Sequence, residues 1–287
     1  MLCARSAELL DVARAAGVRY FDVARSYGRA EEFLARWLAE GRIAREQATV
    51  GSKWGYRYTA GWATEAPVHE QKELSLGRFT SQLAESRALL GKWLDLYQIH
   101  SATVESGSLD DQPLLRALVQ GRRDGAYRAL GLTLSGATSA ATLARALAVR
   151  VDGERVFDVV QATFNCLEPS LAPLLQRAQD AGLGVVTKEV FANGRLTDVN
   201  ARPEDAPLLA HLRALASGVS LDRLALAFVL AHPFVDVALS GATTTPQLAS
   251  HVAAFELPLD DATRRALGAV AEPPERYWTT RSRLPWS

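Results

Sequence analysis

The stretch Val18-Arg19-Tyr20-Phe21-Asp22-Val23-Ala24-Arg25-Ser26-Tyr27-Gly28 is a short apolar run carrying one carboxylate, followed by a polar loop that ends in a phenol and a glycine. Two further runs have the same form. Thr49-Val50-Gly51-Ser52-Lys53 ends on an ammonium, and Leu94-Asp95-Leu96-Tyr97-Gln98-Ile99-His100 ends on an imidazole. Short, mostly apolar runs of this kind are expected of parallel strands buried on both faces. Working outward, the same pattern places strands at 18–24, 49–53, 94–100, 127–133, 156–163, 184–188 and 235–240. Amphipathic stretches lie between them. Residues 6–16 keep Leu9, Leu10 and Ala13 on one side, and residues 170–181 keep Leu171, Leu174, Leu175 and Ala178. Gly17 and Gly182 stand where a helix wants a left-handed C-terminal cap. The recurring order of helix, glycine, strand and polar loop predicts βα units and a parallel sheet.

No G-x-G-x-x-G follows the first strand, so a Rossmann sheet is the weaker choice. The expected fold class is α/β, a (β/α)8 TIM-type barrel forming one domain over residues 1–287; such barrels commonly run to about 250 residues. The strand count is one short of eight, and the chain opens directly on a helix. The barrel is therefore expected to lack its first strand, leaving unpaired backbone on the runs 18–24 and 235–240, with a start site placed too late as the expected cause.

Acidic and basic residues cancel, 32 against 32, and no run of five like charges occurs. A nucleic-acid or membrane-surface partner, which calls for a basic patch, is not expected. Cys3 and Cys166 match no metal spacing, and no window approaches the ~20 apolar residues of a membrane span. A cytoplasmic setting, no metal, and a monomer or weak homo-oligomer are the expectations.

Polar residues at the C-terminal ends of barrel strands are where active sites form. Each candidate has a plain structural alternative. Asp22 and Lys53 would make an ordinary buried ion pair, Tyr27 a packing aromatic, and His100 a satisfied core histidine. Together they form a chemical set. A phenol with an ordinary pKa near ~10 is a poor proton donor at neutral pH. An adjacent ammonium favours its phenolate and is expected to lower that value, a carboxylate holds the ammonium charged, and a neutral imidazole orients a carbonyl. Asp22, Tyr27, Lys53 and His100 are the expected catalytic residues.

The order D-x-A-x-x-Y-G, S-K and D-L-Y-Q-I-H resembles the aldo-keto reductase family. The similarity continues through F-D-V-V-Q-A-T-F-N, G-V-V-T-K-E-V-F-A-N-G-R-L-T and S-G-A-T-T-T-P-Q-L, and so covers nearly the whole chain from Ser6 onward. The resemblance implies an NADPH-dependent reductase, with NADH also possible, acting on a small-molecule carbonyl substrate. It makes Tyr27 the general acid, Asp22 and Lys53 its tuning pair, and His100 the residue that positions the carbonyl. It implies cofactor contacts from Thr133, Gln161, Lys188, Ser240, Gly241, Thr243, Thr244, Gln247 and His251. Four positions depart from the family pattern. Thr133-Leu134 stands for Ser-Asn, Lys188 for a stacking aromatic, Thr243 for an arginine on the 2′-phosphate, and His251 for an asparagine on adenine. Helix N-terminal amides still suit Thr243, Thr244 and Thr245 to a phosphate.

The loop after Lys53 is aromatic, and Trp54, Tyr56 and Trp62, with Tyr58, are expected to wall the substrate pocket. The tail adds Tyr277, Trp278 and Trp286, which together point to a bulky or ring-bearing carbonyl compound. Two alternatives stay open: a lyase or cyclase that keeps the acid–base set with weakened redox use, and a non-catalytic subunit that senses nicotinamide.

Overall fold

The computed structural model describes residues 2–59, 61 and 70–284. The chain divides into two compact units, residues 1–160 and 161–287.

In the first unit, strands Tyr20–Asp22, Thr49–Trp54, Leu94–Ala102 and Ala129–Leu134 lie side by side in that order, all parallel. The register sets Asp22 opposite Gly51, Lys53 opposite Gln98, and Gln98 opposite Gly131. A helix follows each strand, and its sequence explains where it forms. Gln112–Arg123 begins where the Asp111 carboxylate accepts the Leu114 amide at 3.0 Å, carries two arginines in its last turn, and buries Leu114, Leu115, Leu118 and Val119. The cap satisfies an otherwise orphaned donor, the arginines complement the helix dipole, and the apolar spacing gives one buried face. Fully burying a leucine stabilises by about 1.5–3 kcal/mol. Such a stripe is therefore enough to fix the helix on the sheet.

In the second unit, strands Val159–Thr163, Gly184–Lys188 and Val237–Ala238 are neighbours in that order, the first crossing the boundary between the units. Helix Leu221–Leu230 buries Leu221 and every residue from Leu224 to Val229, as a nearly all-apolar helix must. The buried Arg195 guanidinium donates to Asp205 at 2.8 and 3.1 Å and to Glu272 at 2.7 and 2.9 Å, pinning a loop to the C-terminal segment. Cys166 is buried, and burial pushes its thiol up to about 12, so it is no nucleophile.

All seven expected strands are present, six of them with shifted ends. Gly184–Lys188 falls where the sequence places it, and Gly17 and Gly182 take the left-handed conformation, φ +86° and +80°. The strand expected at 235–240 contracts to Val237–Ala238, because Ser240-Gly241-Ala242 already belongs to the next helix's capping loop. The strand expected at 94–100 runs on to Ala102 through an irregularity after Ile99. Two hairpins were not foreseen: Tyr56–Tyr58 with Glu70–Lys72, and Arg150–Val151 with Glu154–Arg155. The described chain opens on helix Leu2–Ala15, with no strand before it among the described residues. No described helix is long and apolar enough to cross a membrane.

Candidate active site

Neighbouring strand ends in the first unit bring Asp22, Lys53 and His100 together with Tyr27. The Lys53 ammonium, whose side chain is fully buried, pairs with Asp22 Oδ1 and donates to the Val23 carbonyl at 2.9 Å. It lies 4.7 Å from the centre of the Tyr27 ring. His100 stands edge-on to Tyr27, with ring centres 5.6 Å apart and planes at 80°. Tyr27 is 46% exposed as a residue, while its hydroxyl end is desolvated beside Lys53.

Each residue is held by its local backbone. Val23 N donates to the Gly51 carbonyl at 2.9 Å and Arg25 N to the Lys53 carbonyl at 3.1 Å, so the loop continues the sheet before turning out. Arg25 then grips Glu31 at 2.5 Å, and that buried carboxylate also accepts from Ser52 at 2.6 Å and Ser86 at 2.7 Å. Glu31 thus ties helix Ala30–Ala39 to strand Thr49–Trp54 and fixes the loop that carries Tyr27. His100 precedes Ser101, a non-glycine residue with φ +56°. That strained turn is held on both sides: Ser101 N donates to Thr133 Oγ1 at 2.7 Å, and Lys72 Nζ donates to the Ser101 carbonyl at 2.6 Å. Strain sustained by neighbouring bonds at a strand end is characteristic of functional sites.

The electrostatics follow from the packing. Burial pushes the Lys53 ammonium down, but Asp22 and the Tyr27 oxygen more than offset it, so Lys53 is held above the usual lysine range. For Tyr27 the balance runs against expectation. Burial raises it, the Lys53 ammonium lowers it, Asp22 raises it again, and the net direction is upward. The expected lowering is corrected on this point. The phenol is thus held protonated at neutral pH.

The remaining expected residues separate clearly. Tyr56 approaches His100 edge-on at 4.8 Å, which puts it beside the candidate acid–base residues. Trp54 does not stand there. It is fully buried against Phe79 at 5.2 Å, since adjacent strand residues point to opposite faces and Lys53 occupies the inner one. Trp62 and Trp286 lie outside the described residues. Thr133 is buried and uses its hydroxyl on the strand end that carries His100. Tyr20, Arg25 and Glu31 were missed. Their signals were a second polar group at i−2 from Asp22 and a glutamate on the apolar face of a helix.

In the second unit Gln161 is buried on its strand. Lys188 donates to Thr163 Oγ1 at 3.0 Å and lies 5.9 Å from the Trp278 ring centre. Tyr277 is buried and accepts from Asn165 Nδ2 at 3.1 Å, anchoring helix Pro274–Ser282. Helix Thr245–Ala253 starts with a capping box between Thr244 and Gln247. Gln247 Oε1 accepts from the amides of Thr243 at 2.9 Å and Thr244 at 3.2 Å, and from the Thr243 hydroxyl at 3.2 Å. These donors converge on one oxygen, so the donor set fits a phosphate oxygen. Ser240–His251 contains no lysine or arginine, so any such grip is by neutral donors. A side chain at Gly241 would meet nothing within 4 Å. His251 is turned inward, bonded through Nδ1 to Ser240 Oγ at 2.7 Å, with Nε2 3.4 Å from Asp222 and Phe191 stacked on it at 4.3 Å.

Comparison with known proteins bears on the family and the fold. Residues 4–272 match the model of the Aldo/keto reductase family. L-galactose dehydrogenase of Arabidopsis thaliana is 25% identical over 277 residues, covering 90% of this chain and 81% of that protein. The holo form of aldo-keto reductase AKR11C1 from Bacillus halodurans superposes with a TM-score of 0.76 at 20% identity, over 94% of this chain and 88% of that one. Its apo form gives 0.70 at 20% identity, over the same shares of the two chains. These likenesses show the fold, a (β/α)8 TIM-type barrel.

Proposed function

Because the chain belongs to the aldo/keto reductase family and is thereby an NAD(P)H-dependent oxidoreductase, we propose that it reduces a small aldehyde or ketone to the alcohol with NADPH. The observation that carries this reading is the fully buried Lys53 ammonium, fixed on Asp22 and set under the Tyr27 ring beside His100. A structural ion pair needs neither the phenol nor the imidazole.

The nicotinamide, when bound, supplies the hydride, and the protein supplies position, proton and field. Tyr27 donates its phenolic proton to the carbonyl oxygen as negative charge develops there. The phenolate left behind is stabilised by Lys53, whose charge Asp22 holds in place. Such field effects act most strongly where donors are preorganised and water is excluded. His100 orients the carbonyl oxygen toward the phenol, and Tyr56 beside it shapes the approach for an apolar or ring-bearing substrate. Gln161 would hold the carboxamide. Ser240, Thr243 and Thr244 would hold phosphate, with Gln247 giving up the amides it now caps. Lys188 and Thr133 would act through their neighbours.

Titrating the protein with NADPH and NADH, following quenching of tryptophan fluorescence, tests the cofactor half. Micromolar or tighter binding with aldehyde-dependent loss of NADPH absorbance is expected. Binding of neither nucleotide would instead favour non-redox chemistry on the same acid–base set.

A further inference from the structure

Tyr20 precedes Asp22 by two residues on strand Tyr20–Asp22, and the two-residue period of a strand puts both side chains on one face. The Tyr20 hydroxyl donates to Asp22 Oδ2 at 3.0 Å, while Lys53 takes Oδ1. Each carboxylate oxygen therefore has its own donor. The neighbouring strand is cut to fit. Gly51 sits opposite Asp22, and a Cβ built there would lie 2.3 Å from the Tyr20 hydroxyl and 3.4 Å from Asp22 Oδ2. The phenol's oxygen fills the space that any other residue at 51 would occupy. Gly51 is itself two residues before Lys53, on the same face. Tyr20 and Gly51 are thus a matched pair built beneath the Asp22–Lys53 ion pair.

We propose that Tyr20 is a positioning residue that acts through Asp22. Its hydrogen bond fixes the rotation of the carboxylate so that Oδ1 faces Lys53, and Gly51 is the vacancy that admits it. The inference rests on the reductase reading, since it assigns Tyr20 a part in the same reaction. Burial, reinforced by the Asp22 carboxylate, holds the Tyr20 phenol well above its ordinary value, which keeps it a donor at every working pH.

Tyr20→Phe keeps the ring and removes the hydroxyl that donates to Asp22. A hydrogen bond to a charged group is worth about tenfold in an equilibrium or rate. An approximately tenfold fall in kcat with KM nearly unchanged is expected. A merely structural role would lower the urea midpoint and leave kcat of the folded variant near that of the unaltered protein. Gly51→Ala pushes a methyl into the hydroxyl's place. It is expected to slow the enzyme in the Tyr20 background and to cost less in the Tyr20→Phe background, where the nearest atom left is the ring carbon Cζ at 3.1 Å.

A kcat within about twofold of the unaltered protein's, or losses that simply add in the double variant, overturns the proposal. The reductase reading fails separately, if the unaltered protein reduces no carbonyl. In that case urea denaturation of Tyr20→Phe, Asp22→Asn and the pair decides: coupled losses retain the hydroxyl's action on Asp22, and additive losses remove it.

Discussion

Asp22→Asn removes one charge from a pair that water hardly reaches, and its cost follows from what Lys53 keeps. The Lys53 side chain is fully buried and that of Asp22 is 10% exposed, so solvent screens the pair little. Breaking a buried pair by removing one partner typically costs about 3–5 kcal/mol. The Val23 carbonyl remains on the ammonium at 2.9 Å. The lower end, about 3 kcal/mol or roughly a hundredfold in the unfolding equilibrium, is therefore expected at pH 7. The pH dependence gives a sharper test. In the unaltered protein Lys53 is held above the ordinary lysine range. Its contribution is therefore present below an unfolded value near ~10.4 and lost as pH rises through the folded value. Without Asp22, burial is the dominant influence on Lys53 and lowers it. The folded variant then sheds the proton earlier, and its penalty is relieved as pH climbs. The stability gap between the two proteins is thus largest at neutral pH and narrows toward pH 10. Urea denaturation at pH 7 and pH 10 measures it. A gap under about 1 kcal/mol at pH 7, or one of equal size at both pH values, would refute the reasoning.

Tyr27→Phe is expected to lower kcat by about 10²–10⁴-fold with cofactor Kd nearly unchanged, since only the donated proton is lost. Lys53→Met is expected to be similarly damaging, and the double variant little slower than either, because the two act as one unit; steady-state kinetics of the three proteins check both points. Thr243→Arg is expected to raise the kcat/KM ratio for NADPH over NADH by about tenfold, since it adds a charge-assisted contact where Thr243 now offers only an amide and a hydroxyl. An unchanged ratio would mean that the 2′-phosphate does not lie against this loop.

The barrel strands were legible because burial on both faces writes a simple pattern: short apolar runs, each ended by glycine or a polar residue. The clustering of Asp22, Lys53 and His100 was legible for the same reason, since they interrupt or end such runs. What failed depends on orientation within a run. Trp54 adjoins Lys53 in sequence but turns to the opposite face, a consequence of strand alternation that an aromatic-rich loop disguised. The hairpin Tyr56–Tyr58 with Glu70–Lys72 pairs across a long excursion that no short turn motif announces. The sign of the Tyr27 shift was also beyond the sequence, because it depends on how much the ring is desolvated against one ammonium. The Tyr20–Gly51 fit is a cross-strand match visible only in register.

On the proposed mechanism the site protonates a carbonyl while hydride arrives from nicotinamide. Transfer of deuterium from 4-deuterated NADPH to an aromatic aldehyde tests it most directly, with the alcohol analysed by mass spectrometry for the unaltered protein and for Tyr27→Phe. One deuterium at the former carbonyl carbon, formed at least about a hundredfold more slowly by Tyr27→Phe, is the predicted result. Alcohol formed equally fast by both proteins, or no labelled alcohol across a panel of aldehydes and ketones, would contradict it.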